Sequence, residues 1–306
     1  GTEVTFDIKN NYKSKVDIMQ NSIRLSVIIP MYQSEKYISE CIRSVSSQAI
    51  EEIEIICVDD GCTDNTCNIV QQKMNKDERI QLVHITHSGV SCARNAGIGC
   101  SSGAYILFLD ADDKLCNKKL ASTLRKAEKK KADILIFSGT TSAPYSTPLW
   151  VRDAFSAHNM LYHDFSPDIF LKEKSCRPSA CNKLYRRGVI QKYGLRFPES
   201  LSLAEDHVFQ FLVFPKAQDI VFTRNRLYFY RINQENSAVG NYEQKPNEKK
   251  EMHFRAMKLV YECWEQEGYF LLSEYRRVFI LCYLELMFGE LLEGSWEERH
   301  LTASRI

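Results

Sequence analysis

No stretch of this 306-residue chain holds the roughly 18 to 20 uninterrupted apolar residues that a membrane-spanning helix needs. The nearest, VFILCYLELMFGELL, is interrupted by Glu285 and Glu290. The opening residues, GTEVTFDIKNNYKSKVD, lack the apolar core of a signal peptide. The expectation is a cytoplasmic chain, with peripheral contact at the inner face of the cytoplasmic membrane as a secondary one. An excess of charge is also missing: 40 basic residues face 39 acidic ones, for a net charge of +1, so no overall field draws the chain to nucleic acid. There are 11 cysteines but no C-x-x-C pair, which argues against a disulfide framework or a zinc module and for reduced thiols. Cys57, Cys62 and Cys67 stand five apart, whereas a metal site usually closes with paired short spacings. No G-x-G-x-x-G occurs, so a dinucleotide fingerprint is excluded.

What is present is an alternation of buried-strand and helix patterns. LSVIIP (25–30), IEIICVDD (53–60), QLVHIT (81–86) and AYILFLD (104–110) are short β-branched or apolar runs. Helical spacing lies between them, for example at Tyr37, Ile38, Cys41, Ile42 and Val45. Such alternation predicts an α/β fold with a central, mostly parallel sheet flanked by helices. In open sheets of this kind the ligand crevice lies beyond the carboxyl ends of the strands. Pro30 to Tyr32, Asp59 to Asp60 and Asp110 to Asp113 all follow strands directly, and are expected to converge there.

FLDADD (108–113) crowds three carboxylates into four positions. Two like charges roughly 4 Å apart repel by about 4 kcal/mol at an effective dielectric near 20, so the cluster needs open water or a compensating cation. Asp110 and Asp112, two apart, share one side of an extended backbone, and their hard oxygens suit Mg²⁺ or Mn²⁺. The competing reading is an acidic turn in which Asp113 or Asn117 caps the next helix.

LSVIIPMYQSEKYISECIRSVSSQ, ICVDDGCTDNT and GVSCARNAGIGCSSGAYILFLDADD resemble the family 2 glycosyltransferases with a GT-A fold, including the bacterial surface-polysaccharide type. The resemblance returns at CNKLYRR, SLAEDHVF and YFYRINQENSA. It departs at Cys62, where the family often has Ser. It implies a GT-A domain over 25–240 (a nucleotide-binding half, 25–115, and an acceptor half, 116–240), with an extension at 1–24 and a helical region at 241–306. It also implies a UDP-sugar donor, a Mn²⁺ or Mg²⁺ ion and inverting transfer of a hexosyl or N-acetylhexosaminyl group to a saccharide or lipid-linked glycan.

On the family's pattern Pro30, Tyr32, Asp60, Arg94, Asp110 and Ala111 would face the nucleotide. Asp60 would accept from the uracil N–H, Asp112 would ligate the metal and Asp206 would be the general base. Arg94 is alternatively an orienter of the acids or an ordinary surface residue. Ser202-x-x-Glu205 reads as a capping box that starts a helix and holds Asp206, and His207 reads as packing. Asn182, Lys183, Glu205, Arg231 and Ser237 are weaker candidates for the sugar, diphosphate or acceptor. A catalytically idle GT-A module that binds nucleotide or glycan is the alternative, and the oligomeric state is open. A nucleotidyltransferase would want a basic Gly-rich loop after the first strand, which PMYQSEKY does not supply.

Overall fold

The computed structural model describes residues 23–145, 147–232 and 245–292; expectations for 1–22 and for Ser237 lie outside the described residues. The strands β1 (Leu25–Met31), β2 (Ile53–Asp59), β3 (Ile80–His84) and β4 (Tyr105–Phe108) run parallel in the spatial order β3-β2-β1-β4. They are linked through α1 (Ile38–Ser46), α2 (Thr66–Met74) and α3 (Val90–Cys100). Every residue of β1 and β2 is buried, because the sheet is covered on both faces and so demands continuous rather than alternating hydrophobicity.

Pro30 sits inside β1 without breaking it. The carbonyl of Ile28 accepts from Leu109 on the β4 side, and that of Met31 accepts from Asp60 on the β2 side. By alternation position 30 faces the β4 side, where that strand has already ended, so its missing N–H is not needed. Gly97 in α3 lies over β1 so closely that a Cβ would stand 2.3 Å from Cγ2 of Ile28. Gly89 serves differently: it opens α3 with φ 92°, a conformation side chains rarely adopt.

The second half adds β5 (Lys114–Leu115), α4 (Leu120–Lys129), β6 (Ile134–Thr141), α5 (Leu149–Ala154), β7 (Met160–Tyr162), α6 (Ile169–Lys172), β8 (Lys183–Arg186), α7 (Arg187–Lys192), α8 (Glu205–Val213) and β9 (Ile220–Tyr230). β8 inserts antiparallel between β4 and β6, joining the halves into one mixed sheet. The strand is four residues long, too short for a periodic signal, and this is why a mostly parallel sheet was the sequence expectation. β9 pairs parallel with β6 and antiparallel with β5 and β7.

The α4 lysines lie on its outer side, while Leu120, Thr123, Leu124 and Ala127 face the core. Lys119 occupies the N-cap of α4, so neither Asp113 nor Asn117 caps it. Two further helices, α9 (Pro246–Gln266) and α10 (Ser273–Leu292), dock on the domain. Trp264 is buried with its Nε1–H donating to the carbonyl of Phe211, and Arg177 pairs with Glu285 at 2.8 Å. Among the described residues no helix is long and apolar enough to cross a membrane.

Candidate active site

Three separate parts of the chain meet at Arg94. Its Nη1 donates to Asp206 at 2.7 Å and to Glu205 at 2.9 Å, and its Nη2 donates to Asp110 at 3.0 Å. The side chain is 3% exposed and lies over the Phe197 ring at 5.1 Å. Desolvation alone would push the guanidinium down, but Asp206 and Asp110 outweigh it and hold Arg94 well above its ordinary value. Arg94 is thus a fixed buried cation between the end of β4 and the start of α8, bonded to the acids rather than lying on the surface.

The carboxylates of 110–113 are held in three different ways. Asp110 is bound by Arg94 and accepts from the Cys181 thiol at 3.4 Å. Asp113 is buried; it accepts from the Tyr228 hydroxyl at 2.6 Å and from the backbone N–H of Arg231 at 2.7 Å. Burial, then the charges of Asp112 and Asp110, push Asp113 well above the carboxylate range. Asp112 is half-buried, and no side chain among the described residues hydrogen-bonds its carboxylate. Burial and the Asp110 charge push it up to about 6. A carboxylate under that pressure, with no side-chain donor among the described residues, fits a hard divalent cation. Ala111, between the two acids, is buried.

Glu205 and Asp206 open α8, where the free N–H groups favour anions. The capping box does not form. Ala204 takes the N-cap position at φ 65° with no side-chain cap, and the Ser202 hydroxyl is 3.7 Å from the Met252 sulfur. Glu205 does start the helix, so only the capping partner differs. Asp206 is fixed instead by Arg94 and by the Ala180 N–H, which donates to its second oxygen at 2.9 Å. Burial and the Asp206 charge push Glu205 upward. Desolvation pushes His207 down to about 3, with Arg177, His253 and Lys183 adding like charge, which suits packing rather than proton transfer.

Asn182 and Lys183 are fully buried. Lys183 donates to the Ser179 carbonyl and, at 2.7 Å, to Oδ1 of Asn182. Asn182 donates to the Ala154 carbonyl at 2.7 Å. Desolvation pushes the Lys183 ammonium down to about 8. Both side chains are bonded to the 175–182 loop, the loop that presents Ala180 to Asp206.

At the β1 end, Tyr32 is half exposed and stacks on His87, ring centroids 4.3 Å apart. Asp60 is buried, with one oxygen accepting from the Ser88 N–H at 2.7 Å and the other from the Gly89 N–H at 2.9 Å. It anchors the start of α3 beside Pro30 and Tyr32. Arg231 is drawn to the acids: its guanidinium pairs with Glu40 and donates through Nε to the Asp112 carbonyl at 2.5 Å. Ala180, Cys181, Glu40, His87 and Tyr228 escaped sequence reasoning. A backbone N–H and single side chains far along the chain from their partners carry no local pattern.

The model of the family described as Glycosyl transferase family 2 matches residues 26–194. A glycosyltransferase of Bacillus subtilis, EpsJ, is 31% identical over 68% of this chain and 61% of its own length. The poly(ribitol-phosphate) beta-glucosyltransferase of Bacillus spizizenii is 28% identical over 71% of this chain and 34% of its own. The chain therefore spans less than two thirds of these relatives. The crystal structure of Staphylococcus aureus TarS 1-349 in complex with UDP-GlcNAc superposes with a TM-score of 0.67 at 22% identity, covering 90% of this chain and 77% of that one, which shows the shared GT-A fold. The strand ends, the acids gathered on them and the family match lead to one conclusion: the chain belongs to glycosyl transferase family 2.

Proposed function

We propose that the chain is an inverting glycosyltransferase that moves a hexosyl or N-acetylhexosaminyl group from a UDP-sugar to a saccharide acceptor, with Asp206 as general base. One observation carries the proposal: a single buried guanidinium, Arg94, binds both Asp110 at the end of β4 and Asp206 at the start of α8. That contact supports placing the leaving-group side and the proton-accepting side within one side chain's reach. The TarS complex with UDP-GlcNAc and the sugar transfer named for the Bacillus spizizenii relative support the donor and acceptor classes.

The acceptor hydroxyl oxygen attacks the anomeric carbon while the bond to the diphosphate oxygen breaks, and Asp206 takes the hydroxyl proton. Arg94 and the Ala180 N–H hold the carboxylate in one orientation, so it need not reorganise as the proton arrives. A divalent cation on Asp112 would supply charge neutralisation for the departing diphosphate. Tyr32 offers an aromatic face for the base, and Asp60 keeps the adjoining 87–89 segment in place. Arg231, tethered to Glu40, closes the acidic cluster on the other side.

A panel of nucleotide sugars with Mn²⁺, followed for binding, hydrolysis and transfer, tests the reading. Undiminished transfer by Asp206→Asn would remove Asp206 from the role of base.

A further inference from the structure

Outside the acidic cluster a second set of metal-ligating atoms converges at the sheet edge. Asp59 ends β2, His84 ends the edge strand β3 directly opposite it, and Cys67 lies in the first turn of α2. One ligand atom from each lies within 4.8 Å of the others. The Asp59 carboxylate and Nδ1 of His84 are 2.7 Å apart, while the Cys62 thiol donates to the Met31 carbonyl and stands outside the group. A buried carboxylate, a thiol and an imidazole thus stand together on one side of the chain, which is the make-up of a mixed metal ligand set. We propose that Asp59, Cys67 and His84 form a site for a thiophilic divalent cation of the Zn²⁺ type, independent of the site at Asp112.

The chemistry of the donors selects the ion. One sulfur, one imidazole nitrogen and one carboxylate oxygen match Zn²⁺ and its analogues, whereas Mg²⁺ and Mn²⁺ prefer oxygen alone. Tetrahedral ligands at about 2.0–2.3 Å from an ion lie roughly 3.3–3.8 Å from one another, so an ion would open the 2.7 Å Asp59–His84 pair slightly and draw in the wider separations, which reach no more than 4.8 Å. Asp59 is buried and fixed by the Cys62 N–H at 2.7 Å, while the His84 side chain is 63% exposed, which leaves an entry path. On binding, the Cys67 thiol releases its proton to solvent and the thiolate takes the metal. The site was hidden in the sequence because Cys57, the first of the evenly spaced cysteines, points into the core, and the histidine comes from the next strand.

The test is a Co²⁺ titration of the whole chain, kept reduced with a phosphine, read by the near-ultraviolet sulfur-to-cobalt charge-transfer band and followed by Zn²⁺ displacement. The expected result is a saturable band that Zn²⁺ abolishes. It disappears in Cys67→Ser, and in His84→Ala the affinity falls by at least about tenfold. Asp112→Asn and Cys100→Ser keep the band, which separates this site from the acidic cluster and from exposed thiols. His84 is exposed, so its variant tests the site without endangering the fold. Absence of the band in the reduced wild type, or its survival in Cys67→Ser or unweakened in His84→Ala, overturns the proposal.

Discussion

Arg94 and Asp206, 112 residues apart in sequence, are joined by a 2.7 Å hydrogen bond in the interior of the domain. The same guanidinium also binds Glu205 and Asp110, so removing it leaves three carboxylates without their shared cation. Breaking a buried pair by deleting one partner costs about 3–5 kcal/mol. Arg94→Met is expected to lose stability in that range, measured as a shift in the urea midpoint. Arg94→Lys keeps the charge but not the fork. It is expected to fold and to lose on the order of a hundredfold in kcat with a smaller change in donor KM, because the base is misplaced rather than the donor lost.

Asp206→Asn keeps the size of the side chain and removes the proton acceptor. The expected loss in transfer is about 10²- to 10⁴-fold, with donor binding retained in isothermal titration. Asp112→Asn has the converse profile: cation-dependent donor binding falls, and added Mn²⁺ no longer stimulates it.

The raised Asp112 gives a pH dependence of defined sign. In the cation-free protein it takes a proton as pH falls through about 6, so a cation must then displace that proton. Apparent cation affinity is expected to fall about tenfold per pH unit below this point and to level off above it. The same group binds its proton more tightly folded than unfolded. Its contribution to stability in the cation-free protein therefore grows as pH falls from about 6 towards the model-peptide value of 3.8. Titrating Mn²⁺ between pH 5 and 8, a range of about three units spanning that value, measures the first effect.

Glu54 works in the opposite sense. It is buried in β2 and accepts from the Ser26 hydroxyl at 2.6 Å and the Ser102 N–H at 2.7 Å. Desolvation acts upward on it, but bonds from Ser26, Ser102 and Gly103 outweigh burial and leave it lowered. A depressed carboxylate contributes stability that is present above the unfolded value and is lost as pH falls through the folded one. Glu54→Gln is expected to destabilise by about 1–3 kcal/mol at neutral pH and to flatten the acid limb of the stability curve.

Gly97→Ala puts a methyl 2.3 Å from the Ile28 side chain, on the strand that carries Pro30 and leads into Tyr32. Overpacking of this kind costs about 1–3 kcal/mol. Thermal unfolding is expected to show the loss, and the loss is expected to be less than additive when Ile28→Ala, which removes the Cγ2 methyl, is combined with it.

By itself the sequence determined the four parallel strands, the helices between them and the carboxylates on the strand ends. Each rests on a local period or on adjacency along the chain, as in LSVIIP, IEIICVDD and FLDADD. It also placed Asp110, Asp112 and Asp206 as the acids to watch, through the order of motifs. Tertiary structure alone decided what surrounds them. A buried guanidinium can satisfy acids from any part of the chain that comes within about 3 Å, and that distance is not written in spacing. Hence Arg94 serves the acids, Lys183 and Asn182 brace the loop that bears Ala180, and Asp60 anchors α3. The convergence of Cys67, His84 and Asp59 was invisible for the same reason: neighbours across parallel strands meet through register, which only folding sets.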